Sequence, residues 1–148
     1  MQTFTVEAGT GAAAIGTVWT RVFPVGGPWG AWRSVAVAET GSNANGAYTR
    51  FADGTQVAWA SLVDTASAWS TASGGLYTRS TALVWTYPAA FASAPVVIPG
   101  AVRNAVAAMG CGNGSPGLTT VDLVPWSAAS LAGATTKSVT AIAAGRWL

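Results

Sequence analysis

Histidine is absent from the 148-residue chain, and cysteine occurs once, as Cys111. Without an imidazole no Ser-His-Asp or Cys-His relay can be assembled. Histidine-ligated zinc is excluded with it, and one thiol makes neither a thiolate metal site nor an intrachain disulfide. That argues against a secreted disulfide scaffold. Charge is nearly as scarce: Asp, Glu, Lys and Arg make up 8% of the residues, about a third of the share usual in soluble domains. A chain with so little charge either buries its surface in an assembly or shows an unusually neutral face to water.

The charges that remain are dispersed. Arg21, Arg33, Arg50, Arg79, Arg103, Lys137 and Arg146 give a net charge of +2 but no basic stripe of the kind a nucleic acid demands. The five acids, Glu7, Glu39, Asp53, Asp64 and Asp122, fall in separate segments. Glycoside hydrolysis needs two carboxyls about 5–9.5 Å apart, and no such pair is suggested. Asp122, in "TTVDLVPW", alternates with apolar residues and is expected to point outward. "GNGSPG" has glycines but neither the lysine nor the following helix of a phosphate loop. No enzyme, cofactor or metal site is therefore expected; oxygen ligands could hold an ion, but no spacing calls for one.

Long hydrophobic runs are missing too. None approaches the roughly 20 apolar residues of a membrane-spanning helix, and "MQTFTVEAG" has neither a basic n-region nor an apolar h-region. Neither membrane insertion nor a secretory signal is expected. Helix signals are sparse: "GAAAI" and "SAASLAGA" are flanked by glycines and read as loops.

What is present is β chemistry. Short runs rich in Val, Thr and aromatics lie between Gly and Pro punctuation, the pattern of an all-β sandwich or barrel. Residues 43–59, "NANGAYTRFADGTQVAW", show two alternating runs facing each other across Asp53-Gly54, the strongest short-range hairpin signal. A two-residue turn there pairs 52 with 55 and sets Tyr48 opposite Trp59. Further strands are expected near 82–87, 95–102, 105–111, 118–125 and 137–144. The first segment, 1–38, holds Trp19, Trp29 and Trp32 in a length too short for a core of its own, so it must pack on something. "ETGSNANG" (39–46) reads as a polar linker and "DTASAWSTASGG" as a second polar loop region. The chain thus divides into a Trp-rich β arm (1–38), a linker with a hairpin (39–75) and a β-sandwich (76–148).

The blocks "GSNANGAYTRFADGTQVAW", "VWTYPAAFASAPVV" and "IAAGRW" resemble the C-terminal, receptor-binding domain of phage tail-fibre proteins. Residues 76–148 look like the H-type lectin sandwich, a six-stranded fold that usually trimerises. "WTRVFPVGGPWGAWRSV" is similar to the closing half of a pyocin-knob-type repeat. The resemblance implies a small antiparallel β-sandwich of about six to seven strands with an N-terminal β arm. It also implies a homotrimer in a virion tail or head fibre, assembled in the host cytoplasm. The N-terminal segment would attach to other virion proteins, and the tip would adhere to a bacterial surface glycan. A structural tail-tip, baseplate or decoration protein is the alternative, and a glycan-cleaving enzyme a third reading.

Trp126 is the first candidate for ligand binding. It follows Pro125 at the end of "TTVDLV" and is expected at a loop tip, and in H-type lectins a tryptophan after the corresponding strand lies at the sugar site. The competing reading is that it caps the sandwich edge or packs on a neighbouring subunit. Arg103 and Asn104 break the apolar run "VVIPGAVRNAVAAMG" as turn residues or as ligand contacts. Asn113, in "GCGNGSPG", suits turn chemistry or hydrogen bonding to a ligand. Trp69 is either exposed for contact or an anchor for its loop. Trp85 and Tyr87 read as core or interface, Trp147 as a plug at the end of the sandwich, and Cys111 as a small buried residue.

Overall fold

The computed structural model describes residues 37–101 and 108–148, together with the backbone of residues 2–5, 18–21, 33–34 and 102. Strands β1 (Gln2–Thr5), β2 (Val18–Arg21) and β3 (Arg33–Ser34) form a three-stranded antiparallel sheet. Trp29 and Trp32 lie outside the described residues.

Ten further strands build two antiparallel sheets. They are β4 (Val37–Asn43), β5 (Gly46–Phe51), β6 (Thr55–Asp64), β7 (Trp69–Ser73), β8 (Leu76–Arg79), β9 (Leu83–Thr86), β10 (Val96–Val102), β11 (Met109–Asn113), β12 (Thr120–Ser127) and β13 (Lys137–Arg146). The first sheet runs β10-β13-β6-β5-β4; the second runs β11-β12-β8-β7, with β9 also on β12. The inward rows of both supply one core, in which Ala58, Val97, Val139 and Ala141 meet Trp69, Trp85, Val121 and Leu123. The chain is therefore all-β and a small antiparallel sandwich, as its punctuation suggests, with more strands than the six or seven expected.

Both sheets draw on both halves of the chain. β6 pairs with β13 over its whole length and β7 pairs with β8, so residues 39–75 carry four of the ten strands of the sandwich and are interleaved with the rest. The stretch 39–46 read as a linker is mostly β4. The polar region around Trp69 is the β7–β8 hairpin, closed by Gly74-Gly75 with φ of +56° and +87°. Two positive φ values in a two-residue loop are the type I′ geometry.

The hairpin at Asp53-Gly54 forms, one residue away from the expected register. Its loop has three residues: the Phe51 carbonyl accepts from the Gly54 N–H at 3.0 Å, Gly54 sits at φ +87°, and Asp53 Oδ1 accepts from the Thr55 N–H at 2.8 Å. Tyr48 consequently faces Ala58, and Trp59 faces Ala47. A one-residue slip exchanges the faces, so the expected Tyr48–Trp59 pair does not form. Tyr48 packs against the core, and Trp59 stands on the outside.

The turn is held from the C-terminus. The Trp147 indole donates to the Phe51 carbonyl at 3.0 Å, and its backbone N–H donates to the Gly54 carbonyl at 3.0 Å. Trp147 thus closes this end of the sandwich, as expected. The Arg50 guanidinium lies 5.2 Å from the Tyr48 ring centroid and 4.9 Å from that of Trp147. It also donates to Gln56 Oε1 and Glu39 Oε2, both at 2.8 Å. Buried Gln56 completes the link by donating to the Ala89 carbonyl at 2.9 Å.

The opposite end is an ionic knot. Asp64 Oδ1 accepts from the N–H groups of Ala66 (3.2 Å) and Ser67 (2.9 Å), and Oδ2 accepts from the Trp69 indole (3.0 Å). Arg79 Nε lies 3.2 Å from Oδ2 as an ion pair, without hydrogen-bond alignment. Directly across the β6–β13 pair, buried Lys137 places Nζ on the carbonyls of Ala132 (3.1 Å), Gly133 (3.2 Å) and Thr135 (2.6 Å). All three ammonium donors are therefore satisfied, which is what lets a lysine stand in an apolar interior.

Burial by itself pushes the Asp64 carboxyl up, but Ser67, Trp69, Arg79 and Ala66 together hold it below the ordinary aspartate value. A folded pKa below the unfolded one contributes stability that is fully present above about pH 4 and lost as pH falls through the lowered value. Asp64→Asn is expected to cost about 3 kcal/mol at neutral pH by leaving Arg79 unpaired. Melting curves from pH 7 to acid should show the gap between wild type and variant narrowing below about pH 4. A gap that stays constant into acid refutes the depressed carboxyl.

Candidate functional site

Strand alternation sorts the outer surface into two faces of different character. On the first sheet, rows of outward side chains run straight across the strands, with Ile98, Ile142, Trp59 and Ala47 in register. Val96 (69% exposed), Ile98 (66%), Val63 (61%), Ile142 (49%) and Trp59 (44%) are large apolar groups in water. Arg146, at the hairpin end, is the one charged side chain on that face among the described residues. A shallow groove of about 470 Å³ runs between Trp59, Ile98, Thr140 and Ile142. An exposed apolar area rimmed by Ser and Thr, without charge, is the mark of a contact surface.

The second sheet carries Trp126. β12 does not stop at Pro125 but continues to Ser127, so Trp126 belongs to the strand and not to a loop tip. Val121, Leu123, Pro125 and Ser127 are buried, and the alternating Asp122, Val124 and Trp126 face outward. Trp126 pairs with Gly110 on one side and Thr78 on the other. Its ring lies across Gly110: a Cβ on that glycine would come within 2.2 Å of Cζ2 and 2.5 Å of Cε2. Gly112, beside Val124, prolongs a strip with no side chains. The outcome is a half-buried indole resting on a glycine floor, with Val124 along its strand and Thr78 across from it. Such a surface offers an aromatic plane with hydroxyl and backbone groups near it.

The other candidates are not gathered there. Asn113 is exposed at the far end of β11, three residues from Gly110 and so about 10 Å along the strand, and its amide donates to the Gly114 carbonyl at 2.9 Å. Of the two readings of Trp69, the ligand contact is overturned and the anchor is what the structure has. It is fully buried, its indole is taken by Asp64 and its ring by Lys137 at 5.9 Å, so it anchors the knot and offers no face to a ligand. Arg103 and Asn104 lie outside the described residues.

Trp85 and Tyr87 are core, meeting edge to face at 5.0 Å, with Phe91 on Tyr87 at 5.1 Å. Burial pushes the Cys111 thiol up to about 11, leaving no thiolate at neutral pH. Asp122 is exposed, as its alternation suggests. No three acids or thiols among the described residues cluster as metal ligands.

Two features of the outer surface escaped sequence reasoning. "GCG" at 110–112 signals a strand with side chains on one face only, the condition for a ring to lie flat across it. The polar segment around Asn43 and Asn45, whose composition reads as a linker, forms the rim of a cleft between the sheets.

Gly110→Ala should force the Trp126 ring off its floor. The expected cost is about 1–3 kcal/mol by chemical denaturation, as for overpacking elsewhere. Acrylamide quenching and the near-ultraviolet circular dichroism of the indole should change with it, and an unchanged signal disproves the resting geometry. Comparisons of the chain with protein-family models, with curated proteins and with solved structures return no match.

Proposed function

We propose that the chain is the distal part of a phage tail or head fibre, a virion protein that works as a homotrimer and adheres to a bacterial surface glycan. The observation that carries the adhesive role is the Trp126 indole laid across Gly110 on the outer face of the second sheet. A flat aromatic plane beside hydroxyl-bearing Thr78 suits the apolar face of a sugar ring. The fibre assignment rests on the resemblance of residues 41–59, 84–97 and 142–147 to tail-fibre C-terminal domains.

Assembly is supported by the other face. Val96, Ile98, Ile142 and Trp59 form an apolar face that a second and third copy would remove from water. Each single sugar contact on so shallow a surface is weak, and threefold repetition raises avidity by about 10²–10⁴. The same apolar face favours one alternative, a structural tail-tip, baseplate or decoration protein in which it serves only subunit contacts.

Light scattering at micromolar concentration is expected to give three chains per particle, and Ile98→Glu with Ile142→Lys to give monomers that keep the β spectrum. Trp126→Ala should leave the trimer intact while abolishing adsorption to host cells and binding on a glycan array. A wild-type monomer overturns the trimer. A Trp126→Ala protein that adsorbs normally overturns the adhesive role and favours the structural alternative.

A further inference from the structure

A second site lies between the sheets, on the side of the sandwich. β5 covers β6 only as far as the Ala47–Trp59 pair, although β6 runs on to Asp64. β9 pairs with β12 alone. The uncovered edge of β6 and the uncovered edge of β9 border one cleft of about 420 Å³, and the β4–β5 turn bounds it at one end. Buried polar backbone is normally paired, so two strand edges without strand partners at one cavity leave N–H and C=O groups for an occupant or for water.

The lining defines the occupant. No charged residue lines the cleft, so it holds nothing to neutralise an ionic ligand, whose desolvation would go unrepaid. Leu62, Leu83 and Trp85 line it as apolar residues; Asn43, Asn45 and Thr86 line it as polar ones. The rim is fixed in advance. Asn43 Nδ2 donates to the Pro88 carbonyl at 2.9 Å, Asn43 Oδ1 accepts from the Asn45 N–H at 2.8 Å, and the Trp85 indole donates to the Asn45 carbonyl at 2.9 Å. These bonds use one N–H and the oxygen of the Asn43 amide, and both backbone groups of Asn45. They leave the Asn45 side-chain amide, one acceptor and two donors, without a protein partner among the described residues.

We infer that this inter-sheet cleft binds a neutral, hydroxyl-rich ligand the size of one sugar ring, held by the Asn45 amide and the open edges of β6 and β9. The volume is at the small end of ligand pockets. An uncharged ligand with alternating donors and acceptors matches amide and backbone groups, and its C–H surface matches Leu62 and Leu83. The site is distinct from the Trp126 shelf, which faces outward from the second sheet, and stands whether or not that shelf binds sugar. The turn at one end favours a compact ring over an extended peptide strand, which would pair along an edge and run on past it.

The test is a titration of the isotopically labelled full chain with the methyl glycosides of glucose, galactose and N-acetylglucosamine, followed by amide and indole resonances. A ligand of about a dozen non-hydrogen atoms on a preformed site is expected to bind in the low-millimolar range. Saturable shifts are expected at Gly46, Ser61, Val63 and the Trp85 indole. Asn45→Ala should weaken binding about five- to tenfold, isosteric Thr86→Val should weaken it while keeping the folded spectrum, and Trp126→Ala should leave these shifts in place. Glucuronate should bind more weakly than the neutral glycosides.

No saturable shift at the cleft with any glycoside at about 50 mM, more than ten times the expected dissociation constant, overturns the inference. Binding that survives both Asn45→Ala and Thr86→Val overturns it too. Shifts confined to Trp126 and Gly110 overturn it while sparing the shelf. Failure at Trp126 with shifts retained at Gly46 and Ser61 does the reverse. Binding of a short uncharged extended peptide in place of the glycosides makes the cleft a strand-docking edge and sinks the sugar assignment.

Discussion

The antiparallel pairing of β6 with β13 sets the position of nearly everything else. It joins residues 55–64 to residues 137–146 without a break, from Arg146↔Thr55 to Lys137↔Asp64. Because side chains alternate along a strand, that one register decides which residues enter the core and which meet water. It sends Ala58, Val139, Ala141 and Ala143 inward and Trp59 and Ile142 outward. It also places Lys137 and Asp64 at one end of the pair, where one rests on three carbonyls and the other collects Trp69 and Arg79. At the other end it brings the C-terminal Trp147 onto the hairpin turn. A slip of one residue would turn the alanine row to solvent and bury Trp59 in a space made for methyl groups.

Scarcity of charge gives the few ionic groups a particular use. Asp64, Arg79 and Lys137 are spent inside, at a single knot, while Glu39 and Arg50 tie β4 to β5. Tyr48 and Arg50 both donate to Glu39 and hold its carboxyl below the usual range. Little charge is then left for the broad faces. The first sheet's outer surface is apolar with Ser and Thr around it, and the second presents Trp126, Val124, Thr78 and glycine, with Asp122 two residues beyond Val124. A surface of this kind is costly for an isolated chain and favourable in contact with a partner.

Much of this was legible in the sequence, and what was missed has identifiable causes. Alternation and Gly/Pro spacing indicate the all-β class and place β9, β10, β12 and β13 within a few residues. Asp53-Gly54 marks the hairpin correctly but leaves its loop length open. Asp and Gly serve a two-residue type I′ turn and equally a three-residue loop whose last residue is left-handed; the second is the one that forms, with Asp53 Oδ1 accepting from the Thr55 N–H. The polar stretches 39–43 and 69–73 look like linkers because composition dominates their reading. They become strands because neighbours β5 and β8 satisfy their backbone, a tertiary effect that local propensity does not contain. Trp69 shows the same limit. Its Ser/Thr/Gly surroundings leave exposure and anchoring open, and an aspartate five residues upstream decides for the anchor by fixing its indole inside. For Trp126 the expected setting is a loop tip, since a proline before it suggests a strand end. Proline is tolerated here at Pro125, opposite Cys111, with β12 continuing through it.

The separation of the two outer faces also bears on how weak recognition can become useful. An indole over a glycine floor has little depth, and a shallow contact gains affinity mainly by being repeated in a fixed geometry. Repetition demands an assembly surface that is not itself the recognition surface. In this sandwich the β6–β13 register turns the apolar row outward on one sheet, and the alternation of β12 turns the Trp126 plane outward on the other. On the proposed reading, a face that held both Trp59 and Trp126 would lose its aromatic plane on self-association. The sandwich keeps them on opposite sides of a single core, so that burial of one face leaves the other open.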